Sequence, residues 1–134
     1  MKKTLFLILF VSLMLLVACD DNEGKTQSLE QFYNDANIEN VDKVIIQDGS
    51  TGDSKTMVEP EQIDEFLALI KDIVFTPQEN QEERTGWRYA ITLFDGEKDF
   101  AFSLTNINDT YYDSNPDIHP IVDSYYKQLD IVEE

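Results

Sequence analysis

Chemistry in this 134-residue chain has few residues to work with: one histidine, one cysteine, one tryptophan and two arginines. A general base needs a nucleophile and an oriented geometry. His119 sits between Ile118 and Pro120 near the start of a helical stretch, and no G-x-S-x-G, H-E-x-x-H or P-loop pattern accompanies it. It reads as a partly exposed helix residue, and the chain as non-enzymatic. Two acidic segments carry the oxygen ligands that calcium takes. Asp48, Ser50 and Glu59 fall at the first, third and twelfth positions of an EF-hand loop, yet glycine stands second and fifth instead of sixth. Asn106, Asn108, Asp109, Asp113 and Asp117 cluster around a turn and form the better candidate cation site. Asn and Asp also populate turns for their own backbone hydrogen bonds. Calcium is the one cofactor these residues could hold, and it would need six to eight converging oxygens.

Both arginines lie in Arg84-Thr85-Gly86-Trp87-Arg88-Tyr89, beside the only tryptophan. On an acidic protein, Arg84, Trp87 and Arg88 make a candidate binding patch for a carboxylate, a glycan or a protein partner. Strand alternation argues for a different use. It puts Trp87, Tyr89, Ile91 and Leu93 on one face, and large residues alternating in this way belong to a core. Trp87 is therefore expected to pack against an apolar helix stripe formed by Ile63, Phe66, Leu67 and Ile70. The opposite face, with Arg88, Ala90, Thr92, Asp99, Ala101 and Ser103, is small and weakly polar, open either to water or to a partner.

The cysteine has a different meaning. Lys2 and Lys3 precede an apolar run from Leu5 to Leu16, shorter than the roughly 18–20 residues a spanning helix needs. Small residues follow, in the order of a secretory signal peptide. Leu16-Val17-Ala18-Cys19 resembles the lipobox of bacterial lipoproteins. That resemblance, confined to residues 1–19, implies cleavage between Ala18 and Cys19. It also implies a diacylglyceryl group on the Cys19 sulfur, and so a chain held on the outer, extracytoplasmic face of the cell membrane. Two acyl chains anchor stably where one is marginal. With Cys19 lipidated no thiol remains, which excludes thiol catalysis, cysteine-ligated zinc and redox chemistry.

Charge narrows the partners. The formal charge is −17, and loss of residues 1–18 removes two lysines and no acid, making it −19. Such a surface repels nucleic acid and anionic headgroups; it serves solubility and would attract cations or basic partners. Asp20–Gln27 is polar and without apolar period, a flexible tether reaching about 15 Å, so the domain is expected to sit close to the membrane.

One domain is expected over 28–134. Ser28 and Gln31 fit a capping box ahead of a short helix to about Asn37. Val41 to Gln47 and Lys55 to Val58 read as strands around the turn chemistry of residues 48–53. From Pro60, Ile63, Phe66, Leu67, Ile70, Ile73 and Val74 form a helical stripe, ended by Pro77. After a polar loop to Gly86, Trp87 to Phe94 and Lys98 to Thr105 alternate around Asp95-Gly96, a hairpin signal. A turn centred on Asp95-Gly96-Glu97 with Phe94 opposite Glu97 pairs Thr92 with Asp99, Ala90 with Ala101 and Arg88 with Ser103, and stacks Ile91 with Phe100 and Tyr89 with Phe102 on the core face. Tyr111-Tyr112 gives a short strand, and Pro116 opens a last helix facing inward with Ile118, Ile121, Val122, Tyr125 and Leu129. The order α-β-β-α-β-β-(β)-α predicts an α+β domain, helices covering one face of a mostly antiparallel sheet. In general layout it is similar to small Gram-positive surface lipoproteins of unassigned function. The expectation that follows is a membrane-anchored binding module for a protein or cell-wall component. A divalent-cation-binding lipoprotein is the alternative, and a small envelope hydrolase ranks third.

Overall fold

The computed structural model describes residues 25–134; the signal sequence, Ala18 and Cys19 lie outside them. The chain folds as a small α+β domain with antiparallel pairing throughout. Its elements in chain order are β1 (Gln27–Ser28), α1 (Leu29–Asp35), β2 (Lys43–Asp48), β3 (Ser54–Met57), α2 (Pro60–Ile70), β4 (Val74–Pro77), β5 (Tyr89–Asp95), β6 (Lys98–Ser103), β7 (Asn106–Ile107), β8 (Thr110–Asn115) and α3 (Ile118–Gln128).

The strands form two four-stranded sheets, ordered β3-β2-β5-β6 and β1-β4-β8-β7. One stretch of chain serves both. β6 edges the first sheet, bends through Leu104 and Thr105, and continues as β7 at the edge of the second. The Ser103 hydroxyl stabilises the bend by accepting the Asn106 amide at 3.1 Å, a local bond that competes with ladder pairing. A bent strand that changes sheets is a common way to make the corner between two sheets.

The inner face of the first sheet is built in cross-strand rows. Met57, Val44, Leu93 and Phe100 form one, and Lys55, Ile46, Ile91 and Phe102 the next. All eight are buried. α3 lies on these rows, with Tyr126 against Tyr89 at 5.4 Å between ring centroids, and α2 packs on α3 through Phe66 and Tyr125 at 5.0 Å. α1 covers the second sheet, where Phe32 meets Phe75 and Tyr112 edge-on. The apolar residues of both sheets and all three helices form one core. Lys55, the one buried cation among the described residues, donates to the Tyr126 and Leu129 carbonyls at 2.6 and 2.9 Å. These are the orphan acceptors at the C-terminus of α3, where positive charge is also favoured by the helix dipole.

Several boundaries differ from the sequence reading. The Ser28–Gln31 capping box is present, but Gln27, assigned to the tether, pairs with Phe75 in β1. α2 stops at Ile70, because Val74 is drawn into the ladder with β8; Val74 is 39% exposed and not part of the apolar stripe. α3 begins at Ile118, capped by the Asp117 carboxylate on the His119 amide, two residues after Pro116. The β5–β6 hairpin is slipped by two residues from the expected register. Asp95 pairs with Lys98, Leu93 with Phe100 and Ile91 with Phe102. The loop is therefore Gly96-Glu97, with Gly96 at φ +62 as its first residue, the place where a two-residue loop of type II′ needs glycine. A slip of two preserves the faces, so Ile91 and Phe100 remain in the core as expected.

Candidate functional site

Trp87 is not a core residue. It is 44% exposed, whereas Tyr89, two residues on, is 0% exposed. β5 begins only at Tyr89, so the alternation that would have turned Trp87 inward does not reach it. The ladder continues one bond further, the Gly49 amide donating to the Arg88 carbonyl at 2.7 Å, and there the chain departs. The indole is held against Gly49. A Cβ added at Gly49 would lie 2.7 and 2.9 Å from Trp87 Cε3 and Cζ3, and 2.0 Å from the Trp87 carbonyl oxygen. Only glycine permits this approach.

Two hollows open beside the ring, and Trp87 and Thr105 line both. The first, of about 440 Å³, has the small side chains Ala90 and Ala101 in its floor; Arg84, Tyr111, Asn108 and Asp109 also line it. The second, of about 490 Å³, lies between Arg88, Tyr112, Asp113, Ser114, Asp117 and His119. Each is in the range of small-ligand pockets, roughly 300–1,000 Å³. The weakly polar outer face of the hairpin is thus walled into a cleft by the residues before β5 and by the β7–β8 turn.

The first wall is anchored on Tyr111. The Gln81 side-chain amide imitates a strand, accepting the Tyr111 amide at 2.8 Å and donating to its carbonyl at 3.0 Å. The Arg84 guanidinium stacks 4.3 Å from the Tyr111 ring centroid and donates to Gln78 Oε1 and the Asn80 carbonyl. Arg88 is committed as well. It pairs with Asp48 and with Asp123, donates to the Ser50 hydroxyl, and lies over the Tyr89 ring. Burial pushes the Asp48 carboxyl up, but the Ser50 hydroxyl and amide, together with Arg88, outweigh it and hold it below the usual carboxylate range. Hydrogen bonds from the Tyr89 hydroxyl and then Lys127 hold Asp123 low in the same way. Burial, followed by the Asp123 contact, pushes the Tyr89 hydroxyl up. A general acid requires a carboxyl displaced the other way; these groups position Arg88.

Arg84 borders the first hollow and Arg88 the second, with Trp87 lining both, and each guanidinium is held by protein acceptors. The structure divides the candidate cation residues. Asn106, Asn108 and Asp109 border the first hollow, and Asp113, which accepts from Gln78 Nε2 at 3.2 Å, borders the second. Asn108 and Asp109 are the two loop residues of the β7–β8 hairpin, both at positive φ (52 and 64), which is the type I′ turn that Asn and Asp favour. Among the described residues no group of three or more His, Cys, Asp and Glu is placed to hold a metal ion, and no helix is long and apolar enough to cross a membrane. Tyr111, Gly49 and Gln81 were not singled out by the sequence. Each matters through a partner distant in the chain, and no local signal marks that. No protein-family model matches the chain, and no curated protein or solved structure is similar to it.

Proposed function

We propose that the chain is an extracytoplasmic lipoprotein, anchored through lipid on Cys19, whose domain is a non-enzymatic binding module with the Trp87 cleft as its ligand site. The observation that carries the reading is the exposed indole, fixed on Gly49 and lining two hollows. A large aromatic ring left half in water has forgone the burial that its size makes favourable, and rings so placed are typical anchors of binding surfaces.

Topology supports the orientation. The tether would lead into β1, at one edge of the second sheet, while the cleft is lined at the β7 edge, with β4 and β8 between them. At about 4.8 Å per strand, the cleft stands roughly 14 Å across the sheet from the attachment, open to components of the envelope.

Two experiments test the two halves. Fatty-acid labelling should mark the wild-type protein and not Cys19→Ala; label retained by the variant defeats the anchor. A photo-crosslinking amino acid at Trp87, in the intact lipoprotein on cells, should capture an envelope component that the same group at exposed Val58 does not. Identical capture from both positions defeats the site.

A further inference from the structure

We infer that the free edge of β6 takes up an extended, cationic segment of a partner protein as a fifth strand of the first sheet. This rests on the binding-module reading above and names the class of partner.

Hydrogen-bond parity shows what β6 leaves open. The loop Gly96-Glu97 is flanked by the pair Asp95–Lys98, which in a two-residue hairpin is a bonded pair. Bonded pairs then alternate, Leu93 with Phe100 and Ile91 with Phe102. The other side of β5 agrees, because there it is the Arg88 carbonyl that accepts the Gly49 amide. Asp99 and Ala101 therefore turn their N–H and C=O groups away from β5. Among the described residues no strand pairs with β6 on that side, and both residues are exposed.

The other sheet edges are occupied or short. Ser54, facing outward from β3, exchanges both backbone bonds with Glu134 at 3.1 and 2.9 Å. β1 and β7 have two residues each, and β4 passes beyond β1 into Pro77, which has no N–H to donate. β6, with six residues, is the longest edge.

A row of N–H and C=O groups at strand spacing is complemented by another extended polypeptide. Charge selects among polypeptides. Glu97 and Asp99 are exposed and make no ion pair among the described residues. Lys98, the cation between them, is held by Asp95 at 3.7 Å and donates to the Asn37 carbonyl at 2.8 Å. A second copy of this chain would bring the same carboxylates and a charge of −17 to the edge, and charged edges keep copies apart. A segment with Lys or Arg opposite Asp99 is attracted instead. Asp99, Ala101 and Ser103 share the outer face of β6, and the last two line the first hollow. The added strand would thus border the Trp87 cleft.

The probe is a peptide. A random twelve-residue library displayed on phage is selected on the intact lipoprotein in zwitterionic detergent, and the most enriched sequence is synthesised. It should carry Lys or Arg in alternation with β-branched residues. Asp99→Lys should weaken its binding in calorimetry by about fivefold or more, and so should Ala101→Pro. That proline removes an outward N–H without breaking a bond to β5, a position where a sheet tolerates it. N-methylation of alternate probe residues needs no variant to fold: one parity should abolish binding and the other should leave it. No enriched peptide overturns the inference, as does binding unchanged by Asp99→Lys and indifferent to N-methyl parity. The two readings fail separately. Specific crosslinking from Trp87 without the parity pattern keeps the cleft and removes the strand; the parity pattern with crosslinking no better than that from Val58 does the reverse.

Discussion

The two ends of β5 begin from the same pattern and finish differently. Toward the hairpin, Leu93 pairs with Phe100, and the Asp95 carboxylate gathers the Glu39 and Asn40 amides at 2.9 and 3.1 Å. Backbone, side chain and turn glycine there serve a single purpose, which is closing the sheet. At the other end Tyr89 is fully buried, its ring on Tyr126 and its hydroxyl donating to Asp123 at 2.7 Å. Two residues earlier, Trp87 has the same parity and stands half in water. The ladder, and not the residue type, decides which side of the sheet a side chain occupies. Parity means nothing once the chain has left its partner strand.

The widest separation between these neighbours should appear in stability. Tyr89→Ala removes a fully buried ring and leaves the Asp123 carboxylate without its donor, so urea unfolding should report a loss of about 3–5 kcal/mol. That is a large part of the ~5–15 kcal/mol that holds a typical domain together. A loss below about 1 kcal/mol would mean that the ring is not locked between β5 and α3, and the contrast with Trp87 would vanish.

Gly49→Ala comes next. The new methyl would meet the Trp87 carbonyl and ring edge far inside contact distance, and backbone cannot yield as a flexible side chain does. Overpacking of this kind costs about 1–3 kcal/mol, and the indole should be displaced, changing its emission and its access to acrylamide. An unchanged spectrum with unchanged stability would show that Trp87 is not seated on Gly49.

These two residues also show what was legible in the sequence. The capping box at Ser28, the α2 stripe as far as Ile70, and the faces of β5 from Tyr89 and of β6 follow from signals within a dozen residues and are present. The site depends on contacts between distant segments: Gly49 with Trp87, Gln81 with Tyr111, and Arg88 with both Asp48 and Asp123. No period in the sequence encodes these meetings. The arginine, tryptophan and arginine were recognisable as a group, but the acceptors that hold the two guanidinium groups were not. The Asn and Asp residues of 106–109 read as candidate ligands or as a turn, and Asn108 and Asp109 do form the turn.

Acid should separate the network around Arg88 from the rest of the sheet. The folded pKa values of Asp48 and Asp123 lie below the ordinary carboxylate value. Their stabilisation is therefore complete above the unfolded value, near pH 4, and is lost as pH falls through the folded values. Asp95, held by the Glu39 and then the Asn40 amide, behaves likewise at the hairpin end. Melting temperatures followed from pH 5 to pH 2 should fall for wild type, and the fall should be shallower for Asp48→Asn. Parallel curves for the two proteins would show that the Asp48–Arg88 pair contributes nothing to acid sensitivity.

The smallest effect is expected at Trp87 itself. About half of the indole is already in water, so truncation forfeits roughly half the burial energy of a large side chain, about 1 kcal/mol. The cavity contribution that makes core truncations severe is absent, because the hollows beside the ring are already open. Trp87→Ala should therefore melt close to wild type, while Tyr89→Ala should not. In the wild-type protein, emission should be near that of tryptophan in water and readily quenched by acrylamide. A blue-shifted, poorly quenched indole whose removal costs as much as that of Tyr89 would place Trp87 in the core after all, and would take it out of the lining of both hollows. An exposed ring whose loss scarcely disturbs folding leaves ligand contact as the use to which its surface is free to be put.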